Sequence, residues 1–295
     1  MTKGLQTDAF LLQKKRKEKV FLVLAAAALL FALTVLFALL IDAFLDGLPR
    51  LSLKFLTGFP SRNPEKAGIL PAMVGSIYVT VLTILFAVPL GVGGAIYLEV
   101  YAPKNWMSSI IETSIATLSG VPSIIYGMLG LELFARTLQL GRSLLTGALT
   151  LALLVLPIVI VSARESLRAV PQSLWEGALA LEATRWQALK DQILPVAFPG
   201  ILTGIIFTVS RAIGEAAPLI MVGALTYVAF LPEGLFSPFT TLPIQIFNWV
   251  SRPQKAFHAN AAAGIVVLLA VTLSLNALSI ILRGRLEKKL PPQAF

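Results

Sequence analysis

"VPQSLWEGALALEATRWQALKDQILPVAFPGI", residues 170–201, is the stretch on which the fold turns. Upstream lies an apolar run centred on 144–163 and downstream another on 197–225, each long enough to cross a bilayer. A plain connector between two spans needs no particular pattern. This one opens on Pro171 and Ser173, sets Ser173 and Glu176 at the S-x-x-E spacing of a capping box, and repeats Trp175, Leu179, Trp186 and Leu189 at helical spacing. Pro195 and Pro199 close it. The pattern predicts a helical segment along the membrane face with its large apolar side chains on one side. Two readings stay open on physics alone: an interfacial helix resting on lipid headgroups, or a docking element for a soluble partner.

Outward from that loop the chain is greasy. Of 295 residues 57% are hydrophobic and 13% charged, against about 25% charged in an ordinary soluble domain. Mean hydropathy is +0.83. This is the profile of an all-α polytopic membrane protein. The first run, "VFLVLAAAALLFALTVLFALLI" (20–41), is longer than a signal-peptide core and is read as an uncleaved span. Others centre on 71–98, 109–135, 144–163, 197–225 and 260–282, which makes six transmembrane helices. The chain divides into a basic tail (1–19), the first span (20–41), an outside loop (42–70), a core of five spans (71–283) carrying the loop 164–196, and a second tail (284–295).

Charge sets the orientation. With the N-terminus inside, the inside segments hold Lys3, Lys14, Lys15, Arg16, Lys17, Lys19, Lys104, Arg164, Arg168, Arg185, Lys190, Arg283, Arg285, Lys288 and Lys289. The outside segments hold roughly half as many, so both termini and the loop 164–196 are expected in the cytoplasm. The net charge of +9 therefore follows from membrane topology and lipid contact, not from nucleic acid. With no cysteine there is no disulfide framework or thiolate site. The single histidine, His258, lacks neighbouring metal ligands in sequence. No G-x-x-x-x-G-K-[ST] motif is present, so any ATP chemistry belongs to another subunit.

One apolar run carries a charge pair. In "RAIGEAAPL" (211–219), Arg211 and Glu215 stand four residues apart on one helix face. An ionisable side chain in a span costs several kcal/mol unless paired or hydrated. Two readings follow: a self-neutralising pair that pins two helices, or a face lining a translocation path. A guanidinium offers a planar fork of donors suited to phosphate oxygens. Glu215 keeps such a site from becoming a trap, or accepts a proton from the anion. Gly214 and Pro218 loosen the helix there. In "GVPSIIYG" (120–127), Gly120 and Pro122 break a helix, and the hydroxyls of Ser123 and Tyr126 serve either ordinary interhelical bonding or a passing anion. Asn248, Trp249, Arg252 and Lys255 fall on the outside face, for a binding protein or, in the case of Trp249, as an interface anchor.

The loop resembles the EAA loop of ABC importer permeases: E-A-A, three residues, Gly, nine residues, then I-x-L-P. Glu176, Gly177 and Ala178 stand for E-A-A, and Leu194 and Pro195 for the closing L-P. Gln192 replaces the isoleucine. In that family the loop forms the coupling helices that enter a groove on the ATP-hydrolysing subunit. The resemblance thus implies ATPase coupling by Glu176, Gly177, Ala178, Glu182, Ala183 and Trp186. Glu182 stands where the family has a glycine that permits a sharp bend, so that bend is expected to be compromised.

"AIYLEVYAP" (95–103), "LSGVPSIIYGMLGLELF" (118–134), "RAIGEAAPLIMVGA" (211–224) and "TTLPIQIFNWVSRPQKAFHANAAAGIVVLL" (240–269) resemble one branch more closely. That branch is the A-type permease of bacterial high-affinity phosphate importers, the PstA type. The resemblance implies the type I ABC importer permease (MetI-like) fold and an inner-membrane, non-catalytic subunit without a bound cofactor, ATP and Mg being held by the partner ATPase. It implies a phosphate pathway through Arg211 and Glu215. Its partners are a homologous second permease, a dimeric ATP-binding subunit and a periplasmic phosphate-binding protein. Permeation of sulfate, molybdate or tungstate is the nearest alternative; a sensory membrane subunit that moves no solute is another.

Overall fold

The computed structural model describes residues 2–224 and 227–287, with side chains described for 15, 17–224 and 227–286. The tail 288–295 with Lys288 and Lys289, and the side chains of Lys3, Lys14 and Arg16, lie outside the described residues. Among the described residues the chain is built of helices joined by turns and irregular loops, with no strand.

Helix α1 (Thr2–Gly47) is one unbroken helix that takes in the basic tail, the first span and the start of the expected outside loop. Nearly every described side chain on it is exposed within the single chain, as suits a lipid-facing helix. It meets the bundle only toward its end, where Gly47 lies against the Ala262 and Ala263 backbone; a Cβ there would come within 2.7 Å of the Ala262 carbonyl carbon.

A short helix, α2 (Leu53–Thr57), is capped by Ser52, whose hydroxyl accepts from the Phe55 N–H at 3.2 Å. Helix α3 (Leu70–Ile96) starts on Pro71, where a missing N–H costs nothing, and ends in a π-helical turn, Tyr97–Tyr101. Then α4 (Trp106–Leu118), capped by Asn105, and α5 (Ser123–Gly130) meet at 102°, so the expected span 109–135 is a bent pair. Helix α6 (Leu144–Arg168), capped by Ser143, is the central strut and packs along α3 and α9.

The informative loop holds α7 (Gln172–Ala180) and α8 (Arg185–Ala188). From α8 a π-helical turn, Leu189–Ile193, leads into α9 (Leu194–Ile213). Pro195 sits in the first turn of α9 and does not end it, contrary to the expected closure. Its lack of an N–H leaves the Asp191 carbonyl without an α-helical donor, which accounts for the π geometry. A short α10 (Ala217–Val222) follows a break at Gly214–Ala216, so the run 197–225 is also interrupted. Helices α11 (Leu242–Val250) and α12 (Ala256–Glu287) complete the chain. Among the described residues five helices are long and apolar enough to cross a membrane, or six counting the bent pair.

At the end opposite the α7–α8 loop, Phe55, Ile69, Leu242, Trp249 and Phe257 form one core cluster. Trp249 is 1% exposed, so it is neither an interface anchor nor a docking residue; its ring lies 5.8 Å from Phe55. Asn248 accepts from Arg252 Nε at 3.2 Å, and Arg252 stacks 4.3 Å above Phe257. Arg50, which sequence places in an outside loop, ties that loop down. It donates to Asn260 Oδ1 and to the Pro64, Glu65 and Ala67 carbonyls at 2.6–3.0 Å.

Candidate functional site

Arg211 is in the last turn of α9 and Glu215 in the break that follows. The chain leaves the helix at Gly214 and re-enters it at Ala217, with Pro218 in the first turn of α10. Arg211 Nε lies 3.7 Å from Glu215 Oε1, too far for a hydrogen bond. The Arg211 side chain is 53% exposed in the single chain and Glu215 19%. Among the described residues neither side chain pairs with a charge on a second helix. The Arg211 guanidinium has no hydrogen-bond acceptor among the described residues.

Helix α5 packs directly on α10, and the approach is close at Gly127: a Cβ there would lie 2.7 Å from Pro218 Cα. Tyr126 therefore shares a buried cluster with Ala212, the neighbour of Arg211. Its hydroxyl donates to the Leu118 carbonyl at 2.8 Å and splints the α4–α5 bend. Ser123 opens α5, half-buried, with its hydroxyl unpartnered among the described residues. The two stretches singled out in the sequence thus meet in space, but the Tyr126 proton is already committed.

Sequence reading missed a four-charge network at the α7–α8 end. Arg164, 7% exposed, places Nη2 2.7 Å from Glu112 Oε1 and Nε 3.4 Å from Glu99 Oε2. Arg168, one turn on, reaches the same two carboxylates at 2.8 and 3.7 Å. Glu99 comes from the turn after α3 and Glu112 from α4, so one end of α6 clamps both. The i, i+4 repeat of Arg164 and Arg168 was the available signal. Glu132 instead pairs with Arg136 at 2.9 Å on the surface. Among the described residues no cluster suits a metal ion, and His258 is part of none.

In the loop itself, the S-x-x-E box is not formed. Pro171 is the N-cap of α7 without a side-chain bond, and Glu176 accepts from Gln172 at 3.0 Å. The capping box is the next one along: Thr184 accepts from the Gln187 N–H, and Gln187 accepts from the Thr184 N–H. The bend, which sequence expects Glu182 to compromise, is intact. Glu182 takes φ +60°, the left-handed region. Its N–H donates to the Leu179 carbonyl at 3.0 Å and that of Ala183 to Ala178 at 3.2 Å. This is a Schellman turn with glutamate at the glycine position.

The single apolar row does not survive the bend. Leu189 is buried and Trp175 half-buried in the core with Leu167 and Ile193, whereas Leu179, Leu181 and Trp186 are exposed, Leu181 at 85%. Gly177 lies in the open; a Cβ there would touch nothing. Ala178 and Ala183 are half-buried under the turn, and Glu176 and Glu182 are exposed.

The sequence profile of binding-protein-dependent transport system inner membrane components matches residues 87–291. The chain belongs to this family of ABC transporter permeases. The permease is 33% identical over 268 residues to "Probable ABC transporter permease protein YqgI" of Bacillus subtilis (strain 168), covering 86% of this chain and 90% of that one. It is 31% identical over 292 residues to "Phosphate transport system permease protein PstA" of Yersinia pestis, covering 95% and 97%. Among solved structures, a chain of the inward-facing MetNI methionine ABC transporter superposes with a TM-score of 0.58 at 17% identity, covering 72% of the permease and 94% of that chain. That likeness gives the MetI-like fold. The family makes the permease a multi-pass membrane subunit that works with an ATPase and a substrate-binding protein.

Proposed function

We propose that the permease carries inorganic phosphate across the inner membrane, with Arg211 as the anion contact of the path. The observation that carries this is the unaccepted guanidinium. Arg211 ends a membrane-spanning helix, its side chain is half exposed in the single chain, and its nearest carboxylate oxygen is 3.7 Å away. So placed, its donors call for an acceptor from outside the chain, and a tetrahedral oxyanion supplies several. Glu215, held close but not bonded, lowers the dwell time of the anion. The relatives named as phosphate permeases support phosphate over sulfate or molybdate, which present the same acceptor geometry.

The path is completed by a homologous second permease, with phosphate delivered by a periplasmic binding protein of the phosphate type. Both termini and the α7–α8 loop face the cytoplasm. There Leu181 and Trp186, with Glu176, Gly177, Ala178, Glu182 and Ala183 around them, form the knob that enters the ATPase dimer, which alone holds ATP and Mg. An apolar tip this exposed suits a protein partner. Docking of the loaded binding protein with ATP closure opens the path outward; hydrolysis resets it.

The test is uptake of labelled phosphate in cells without their own importer, given this permease and its partner subunits. Wild type is expected to import phosphate unaffected by excess sulfate or molybdate, and Arg211→Gln to abolish uptake at equal membrane abundance. Normal uptake by Arg211→Gln overturns the assignment of Arg211; strong competition by sulfate or molybdate overturns phosphate as the substrate.

A further inference from the structure

Toward the α7–α8 end, helices α6, α9 and α12 part to leave an open groove of about 640 Å³. Phe207 on its wall lies one turn before Arg211 on α9, so the groove runs into the face that carries the guanidinium. Its floor is built from small residues. A Cβ at Gly204 would collide with Ser162 Oγ, and one at Gly200 would come 2.7 Å from Ser166 Oγ. The two glycines let α6 serines sit where side chains of α9 would otherwise close the space.

The polar groups of the groove differ in what they have left to give. The Thr203 hydroxyl donates to the Pro199 carbonyl at 2.7 Å, Ser166 to Ser162 at 2.8 Å and Ser279 to Thr203 at 3.5 Å. Their protons are used. Asn276 is half-buried on α12, in the midst of an apolar span, and its carboxamide makes no hydrogen bond among the described residues; nor does the Ser162 hydroxyl. A carboxamide in a membrane helix is expensive unless it finds a partner or faces a wet cavity. This one lines a cavity with its two N–H donors uncommitted.

We infer that this groove is the water-filled vestibule through which the anion leaves the Arg211 site, and that Asn276 is its second hydrogen-bond station. The inference rests on the pathway reading of Arg211. Two neutral donors, the Asn276 carboxamide and the Ser162 hydroxyl, hold a dianion weakly, so the anion is passed on and not retained; Arg283, the cation that lines the same groove, already has an interaction within the chain. Glu165 on the same wall opposes accumulation. The specificity here is for any small oxyanion rich in acceptors; discrimination belongs to Arg211 and the delivering protein.

The absence of cysteine makes the test direct. The full complex carrying N276C, S162C or the lipid-facing control L278C is placed in inside-out vesicles and treated with a membrane-impermeant, anionic methanethiosulfonate. N276C and S162C are expected to react at least tenfold faster than L278C, and phosphate, present during ATP turnover, to slow them severalfold. Asn276→Leu is expected to cut uptake severalfold at equal abundance, with Asn276→Gln recovering part of it. Groove cysteines as inert as L278C mean that lipid or the second permease fills the groove, and overturn the vestibule. Wild-type uptake by Asn276→Leu overturns the station. Arg211→Gln, assayed alongside, separates the two ideas. Lost uptake in Arg211→Gln with an inert groove leaves the Arg211 path standing and removes the vestibule. Normal uptake with a phosphate-protected groove does the reverse.

Discussion

Arg164 Nη2 lies 2.7 Å from Glu112 Oε1, and that contact fixes the loop end of α6 to the first arm of the bent pair. Arg164 is nearly buried, while Arg168, on the same carboxylates, is half exposed. Removing one partner of a buried pair strands the other charge, at roughly 3–5 kcal/mol; an exposed pair contributes about 1 kcal/mol or less. Thermal unfolding of the purified complex is therefore expected to show a large loss for Arg164→Met, toward the low end of that range because the carboxylates are partly hydrated, and a small one for Arg168→Met. Equal losses would mean that burial does not govern the network.

The Tyr126 hydroxyl is a splint across the 102° bend. Tyr126→Phe should cost about 1 kcal/mol of stability, the usual worth of one hydrogen bond. The concentration of phosphate giving half-maximal uptake should stay at the wild-type value. A severalfold rise would return the hydroxyl to the anion path.

Glu182 holds a left-handed conformation that costs an L-residue about 1–2 kcal/mol and glycine almost nothing. Glu182→Gly is expected to slow amide exchange at Glu182 and Ala183 about fivefold, the equivalent of about 1 kcal/mol. Faster exchange would show that the side chain contributes more than its backbone strain removes.

Two glycines make opposite predictions. Gly127→Ala forces a Cβ against Pro218 and Met221, parts α5 from α10 and should destabilise by about 1–3 kcal/mol, with reduced uptake because α10 follows the Arg211–Glu215 break. Gly177→Ala meets open space inside α7 and should stabilise by about 0.5–1 kcal/mol. Thermal unfolding of both variants checks the contrast.

What sequence made legible was local. Each apolar run falls on a helix or bent pair long and apolar enough to cross a membrane, although the one read at 197–225 begins at Arg185 and stops at Ile213. Gly120, Pro122, Gly214 and Pro218 marked both breaks, because a missing Cβ or N–H acts on the chain within a turn. The size of the α4–α5 bend was not legible. It depends on Tyr126 reaching Leu118 and on Gly127 meeting Pro218, a contact between elements far apart in the chain. The same holds for the charge network, in which Glu99 lies 65 and 69 residues from its two arginines. Helical periodicity tells which side chains share a face and says nothing about what that face meets. At Glu182 and Ser173 the failure was different. Helix α7 begins at Gln172 with Pro171 as its N-cap, so Ser173 lies inside the first turn and caps nothing, and Glu182 takes a left-handed φ that residue type alone assigns to glycine.

Gly47 of the first helix is sealed by Ala262 and Ala263 of the last. That contact cannot form on a growing chain until α12 has emerged from the ribosome and entered the bilayer. Until then α1 waits in lipid with almost nothing of its own subunit beside it. The seal at Gly47 is thus a mark of finished synthesis: a nascent chain, or one truncated before α12, leaves this glycine corner open.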